Sequence, residues 1–181
     1  MSEQLVAINT RKSDQKPSRV LLVANRTATD QPLIQAVRQR AQRGPASFHL
    51  LVPAKPRGLH RLVDPEVAGR DVARRRLELA LPGLRDAAGH SVTGQVGDAN
   101  PLAAIHDALH LHGFDEIIIS TLPWRLSRWM RVDLPSKVRA LGLPVTHVSS
   151  TTPEAADGVL DAARVGSGVS SSRGLQGASV H

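Results

Sequence analysis

The chain of 181 residues contains no cysteine and no tyrosine, and only two tryptophans and two phenylalanines. Without cysteine there is no disulfide framework and no thiolate to bind a metal or act as a nucleophile. That suits a reducing compartment, and a cytoplasmic location is expected. Aromatics make up 2% of the residues, so the core has to be built from Leu, Val, Ile and Ala. No apolar run approaches the ~20 residues that cross a bilayer, so no membrane span is expected. The start, MSEQLVAINTRKSDQ, lacks the apolar centre of a signal peptide. A Walker loop, a G-x-S-x-G nucleophile elbow, a helix-turn-helix and a zinc-finger pattern are also missing. One further gap bears on function: no glycine occurs between Gly113 and Gly142.

Charge is plentiful but uneven. The net charge is +7, and residues 1–76 hold 15 Lys/Arg against 6 Asp/Glu, while residues 77–181 hold 8 against 10. A basic half suggests an anionic partner; the plainer alternative is a set of solvated arginines on helix faces. Arg70, Arg74, Arg75 and Arg76 form a basic run that could meet phosphates. The scarcity of aromatics argues against stacking on single-stranded nucleic acid.

Residues 1–17 and 151–181 read as tails: the first polar and closed by Lys16-Pro17, the second rich in Ser and Gly, with a weak helix conceivable at 153–165. Between them, residues 18–150 alternate strands and helices. The expected strands are Arg19–Asn25, Ser47–Val52, Ser91–Val96, Ile117–Ser120 and Val145–Val148. Asp30 and Pro32 announce a helix with Leu33, Ile34, Val37 and Ala41 on one face. A long helix from Glu66 to Ala88 should bury Ala73, Leu77, Leu81, Leu84 and Ala88, with a kink or break at Pro82-Gly83. Before it, the loop PAKPRGLHRLVDP is long enough to act as a lid or binding loop. Asn100 should cap a third helix with Pro101 at its first position, and Leu102, Ile105, Leu109 and His112 on its apolar side. A last helix is expected over Pro135–Leu141. Such an alternation predicts a parallel sheet covered by helices on both faces, and the hydrophobic fourth strand should be central. An exposed edge strand could pair across a dimer.

This order of elements resembles the universal stress protein family, whose class is adenine-nucleotide-hydrolase-like. The resemblance covers roughly residues 18–149. It rests on the long second helix, the Gly-Asp-Ala turn at 97–99, Asp115 before Ile117–Ile119, the helix residues Ser136-Lys137-Val138, and Pro144-Val145 before the last strand. It implies a five-stranded parallel sheet in the order 3-2-1-4-5, a homodimer, and ATP or AMP as ligand. Nucleotide-binding members carry a G-x2-G-x9-G-S/T loop after the fourth strand, whose backbone amides close around phosphates. Here residues 120–133 read STLPWRLSRWMRVD, without glycine. The first strand ends in Ala24-Asn25-Arg26-Thr27, without the family's acidic residue. The family's ATP site is therefore not intact.

Two functions follow as expectations. In the first, the protein is a non-catalytic binding or regulatory module with a stress-related role. A small anionic ligand, or a nucleotide, would occupy the crevice at the switch point. Candidate ligand residues are Asn25, Arg26, Thr27, Val52, Ser120, Thr121, Arg125, Arg128 and Ser136. In the second, Trp124, Trp129 and Arg131 make the loop 122–134 a protein interface, since Trp and Arg are enriched at hot spots. The loop could equally be packing, with Leu126, Trp129 and Met130 docked on the sheet. A nucleotide-dependent hydrolase is a weaker third reading. His106 and His110 stand four apart on one helix and could chelate a metal, but no HExxH glutamate accompanies them. No catalytic residue and no metal ligand is assigned.

Overall fold

Five apolar runs become strands, and the connections between them become helices. The structure is a computed structural model and describes residues 16–54 and 65–150. Its elements are β1 (Ser18–Val23), α1 (Gln31–Gln42), β2 (Ala46–Pro53), α2 (Pro65–Ala88), β3 (Val92–Gly97), α3 (Pro101–His112), β4 (Glu116–Thr121), α4 (Arg128–Arg131), α5 (Leu134–Arg139) and β5 (Val145–Ser149). Residues 1–15, the loop residues 55–64 expected as a lid, and the tail 151–181 with its weak helix lie outside the described residues.

Every strand pair is parallel and the order is β3-β2-β1-β4-β5, as the resemblance implied. Leu22 of β1 sits between Leu50 of β2 and Ile118 of β4. Because side chains alternate along a strand, the sheet has two apolar faces. Val20, Leu22, Leu50, Val52 and Ile118 pack against α1 and α2. Leu21, Val23, Leu51, Ile117 and Ile119 pack against α3 and α5. Most are fully buried, each Leu or Ile contributing roughly 1.5–3 kcal/mol relative to exposure. β1 is the middle strand, and β4, expected to be central, is interior beside it. The acidic residue ahead of β4 is structural. The Arg19 amide donates to Asp115 Oδ2 at 2.7 Å, and the Asp115 amide returns a bond to the Arg19 carbonyl at 2.8 Å. That exchange sets the register in which β1 and β4 start.

The polar strand β3 is an edge, as its composition predicts. Its glycines let the helices come close. A Cβ on Gly94 would meet Leu77 Cδ1 at 2.5 Å, and one on Gly97 would meet Ala104 Cβ and Leu51 Cδ1 at 2.7 Å each.

Two expectations require correction. Of the kink or break expected at Pro82-Gly83, the break does not occur: helix α2 continues through both residues. Ala73 and Ala80 before the proline, and Leu84, Ala87 and Ala88 after it, are buried in one core. That burial outweighs the roughly 3 kcal/mol a mid-helix proline costs. His112 is exposed rather than on the buried side. It closes the last turn of α3, where Ala104, Ile105 and Ala108 supply the buried face, and its ring lies 5.5 Å from His49 and 6.3 Å from Phe114.

Candidate functional site

At the switch point the chain leaves β1 for α1 on one face of the sheet and leaves β4 for α4 and α5 on the other. A crevice opens between the two strand ends. After β1, Asn25 is held at both ends of its amide: its Nδ2 donates to the Pro53 carbonyl at the end of β2, and Arg76 Nη1 of α2 donates to its Oδ1. Thr27 is buried, and its hydroxyl donates to the Ser120 carbonyl at 3.0 Å. After β4, the amides of Leu126 and Ser127 donate to the Pro123 carbonyl at 2.8 and 2.9 Å, folding the Pro-Trp-Arg segment back on itself. Ser127 Oγ then accepts from the Met130 amide at 3.2 Å and caps α4. One further tie crosses β4: the Ser150 amide donates to the Thr121 carbonyl at 2.8 Å, while the Ser150 hydroxyl donates to Asp30 Oδ2. Asp30 stands at the N-cap of α1, where a helix start was expected, and its side chain makes no capping bond there.

The crevice has a volume of about 60 Å³ and is lined by residues 25–27, Pro53, Ala99, residues 120–122 and residues 126–129. Two arginines, Arg26 and Arg128, are in that lining, and among the described residues no carboxylate is. Ser120 is 0% exposed, and its hydroxyl has no hydrogen-bond partner among the described residues. Beside it, Thr121 Oγ1 lies 2.9 Å from His147 Nε2. Burial, and then the Arg139 cation, push the His147 pKa down, so this imidazole is neutral at pH 7. Around 10–15 Å³ of such space admits one water. The crevice therefore has room for only a few water-sized groups and is far below the roughly 300–1,000 Å³ of pockets that enclose drug-sized ligands.

Seven expected residues come together here: Asn25, Arg26, Thr27, Ser120, Thr121 and Arg128, with Trp129, expected at an interface, half-buried in the wall. The others lie elsewhere. Val52 is wholly buried in the α1/α2 core, because alternation along β2 turns it to that face. Arg125, Arg131 and Ser136 are exposed and outside the lining, and Trp124 is 66% exposed. Leu126, Ser127 and Pro53 belong to the lining without having been expected there. Of these only Ser127 left a signal, a Ser just ahead of a helical turn. Arg76, read as part of a basic run, turns inward to Asn25, while Arg70, Arg74 and Arg75 are exposed. His106 and His110 are exposed, and among the described residues no three metal-binding side chains cluster. No described helix is long and apolar enough to cross a membrane.

The sequence matches no protein-family model and no curated protein sequence. The fold does match solved structures. A protein of the universal stress protein family from Burkholderia pseudomallei superposes with a TM-score of 0.51 at 15% identity, covering 72% of this chain and 95% of its own. A universal stress protein from Archaeoglobus fulgidus gives 0.51 at 14% identity, covering 72% and 92%. The protein thus has a universal-stress-protein-like α/β fold. At this identity the likeness concerns the fold.

Proposed function

We propose that the protein is a non-catalytic binding module whose switch-point crevice takes a small, compact oxyanion of the phosphate class. The observation that carries this reading is the buried Ser120 hydroxyl, without a protein partner among the described residues, in a crevice containing Arg26 and Arg128 and no carboxylate. A buried polar group ordinarily has a hydrogen-bond partner, and an oxyanion beside two guanidinium groups would supply one. The size of the crevice and the glycine-free loop favour a phosphate-sized ligand over bound ATP or AMP. Among the described residues the lining offers no carboxylate or lysine as a general base, which supports a binding role over a hydrolase. A regulatory, stress-related role in the cytoplasm, and a homodimer, complete the reading by analogy with the fold.

The test is a thermal-shift titration with inorganic phosphate, chloride salt serving as control. At about 100 times its dissociation constant, phosphate should add about 2.7 kcal/mol of stability. Ser120→Ala should keep the basal stability and lose most of the shift, as should Arg128→Ala. No shift, or a shift equal in both variants, refutes the site. A product assay on ATP checks the hydrolase reading, for which Thr121 and His147 are the nearest hydroxyl–imidazole pair.

A second reading has its own observation. Trp124, Leu126 and Val132 are 66%, 51% and 47% exposed on one loop, and such a group of apolar side chains suits a protein interface. Concentration-dependent sedimentation of the protein and of Trp124→Ala tests it. An unchanged association state in the variant removes this loop from any self-association.

A further inference from the structure

Behind the wall formed by Arg128 and Trp129 lies a second, larger cavity of about 480 Å³, between the first turn of α3 and the α4–α5 segment. Its chemistry differs from that of the crevice. Pro101, Leu102, Trp129, Val132 and Leu134 give it apolar walls. Leu134 is buried, Leu102 and Trp129 are half-buried, and Val132 lies open at the mouth. Its polar features are few. Asn100 is already committed, its Oδ1 accepting from the Leu102 and Ala103 amides at 3.0 and 3.5 Å. That leaves two cations on the rim, Arg128 and Lys137, both exposed, and no carboxylate in the lining.

A pocket of this size with apolar walls and a few convergent polar groups is the usual form of a small-molecule site. The combination selects the ligand. Apolar walls disfavour a polyanion such as free phosphate, which would forfeit its hydration against Leu102 and Val132. Two cations in a lining without a carboxylate disfavour a neutral or positive guest. We propose that this groove binds small amphipathic monoanions, with the aromatic or short alkyl body against Leu102, Trp129 and Leu134 and the carboxylate or sulfonate between Arg128 and Lys137. This goes beyond the oxyanion reading of the crevice and does not depend on it: Arg128 and Trp129 line both spaces, but Lys137, Leu102 and Val132 belong to the groove and not to the crevice.

Anilinonaphthalene sulfonate is a suitable probe, since it has both parts and its emission reports an apolar environment. The full chain carrying Trp124→Phe keeps Trp129 as its sole tryptophan, so excitation of that residue reads proximity to the groove. The expected result is saturable binding of one probe per chain with sensitised emission. Lys137→Glu and Val132→Glu, both at exposed positions that put the fold at little risk, should each weaken binding about tenfold, or 1.4 kcal/mol. In a Ser120→Ala background, which disables the crevice and leaves Arg128 in place, hexanoate or benzoate should displace the probe, and inorganic phosphate should not. Arg26→Ala, in the crevice alone, should leave probe affinity intact, which separates this site from the oxyanion reading. The proposal is overturned by binding that does not saturate, by affinities within about twofold in both charge variants, or by phosphate displacing the probe in the Ser120→Ala background as well as hexanoate does.

Discussion

Thr27 donates its hydroxyl to the carbonyl oxygen of Ser120 at 3.0 Å, in a buried bond between residues 93 apart in sequence. It ties the loop after β1 to the end of β4 and so sets the width of the crevice. The same residue, Ser120, is thus engaged through its carbonyl and, among the described residues, unengaged through its hydroxyl. One group closes the site while the other remains available inside it.

Thr27→Val keeps the shape of the side chain and removes the donor. Leaving a buried carbonyl unpaired should cost about 1–3 kcal/mol, measured as a lower urea midpoint with an unchanged slope. Ser120→Ala should move the midpoint far less. If the two variants lose equal stability, the Thr27 bond is not what closes the two loops.

Gly97 tests the close approach of α3 to the sheet. An added methyl would lie 2.7 Å from both Ala104 Cβ and Leu51 Cδ1. Gly97→Ala should therefore cost about 1–3 kcal/mol, as overpacking does. Gly83→Ala is the control, since its Cβ would meet only Ile34 Cδ1 at an ordinary 3.5 Å. In the middle of α2 that replacement should be neutral or stabilising by up to about 1 kcal/mol. Denaturation midpoints in the reverse order would contradict the packing.

These features differ in how far the chain reveals them. The strands were legible because β1, β2 and β4 are covered on both faces, which writes continuous apolar runs such as Val20–Val23 and Ile117–Ile119. The Asn100-Pro101 start of α3 was legible because capping is local chemistry. The crevice was legible in part, since residues 25–27 and 120–121 simply follow the strand ends. What closes it was not. Arg76 reaches Asn25 over 51 residues, and Ser150 reaches Asp30 over 120. No local pattern announces a partner that only the fold brings near. Val52 was misplaced for a related reason: it is next to a lining residue, Pro53, but the alternation of β2 turns it into the core. Pro82 shows the opposite case, a strong local signal overridden by burial on both sides of it.

Stability should fall as the solution is acidified below about pH 6.5, the ordinary histidine value. Burial, and then the charge of His112, lower the His49 pKa, with Gln95 partly offsetting them. Burial and Arg139 lower that of His147. In both cases the folded value is below the unfolded one, so the unfolded chain takes up protons first. At pH values well above about 6.5 neither state is protonated and the linkage vanishes; as the pH falls through that value stability declines until the lowered folded values are passed. The urea midpoint should therefore be lower at about pH 5.5 than at about pH 7.5. The variant His49→Gln with His147→Gln should show a flatter dependence. An equally steep one would assign the effect to other groups.

Asp133 makes the last prediction, because it takes a conformation that a glycine would take more readily. Its φ of 51° and ψ of 47° are left-handed, and it is the only non-glycine with positive φ among the described residues. It stands where α4 ends and the chain turns into α5, at the close of the segment where the family resemblance leads one to expect glycines. The loop contains no glycine, yet its backbone still needs one left-handed residue, and Asp tolerates that region better than most side chains do. Its carboxylate forms no capping bond to α5 that would compensate. Asp133→Gly should therefore be neutral or stabilising by up to about 1 kcal/mol, with the strain relieved against the entropy gained by the unfolded chain. Asp133→Val, branched at Cβ, should cost about 1–2 kcal/mol. Urea denaturation of the pair decides the matter: a valine variant as stable as the glycine variant would mean that the turn is not held in the left-handed region.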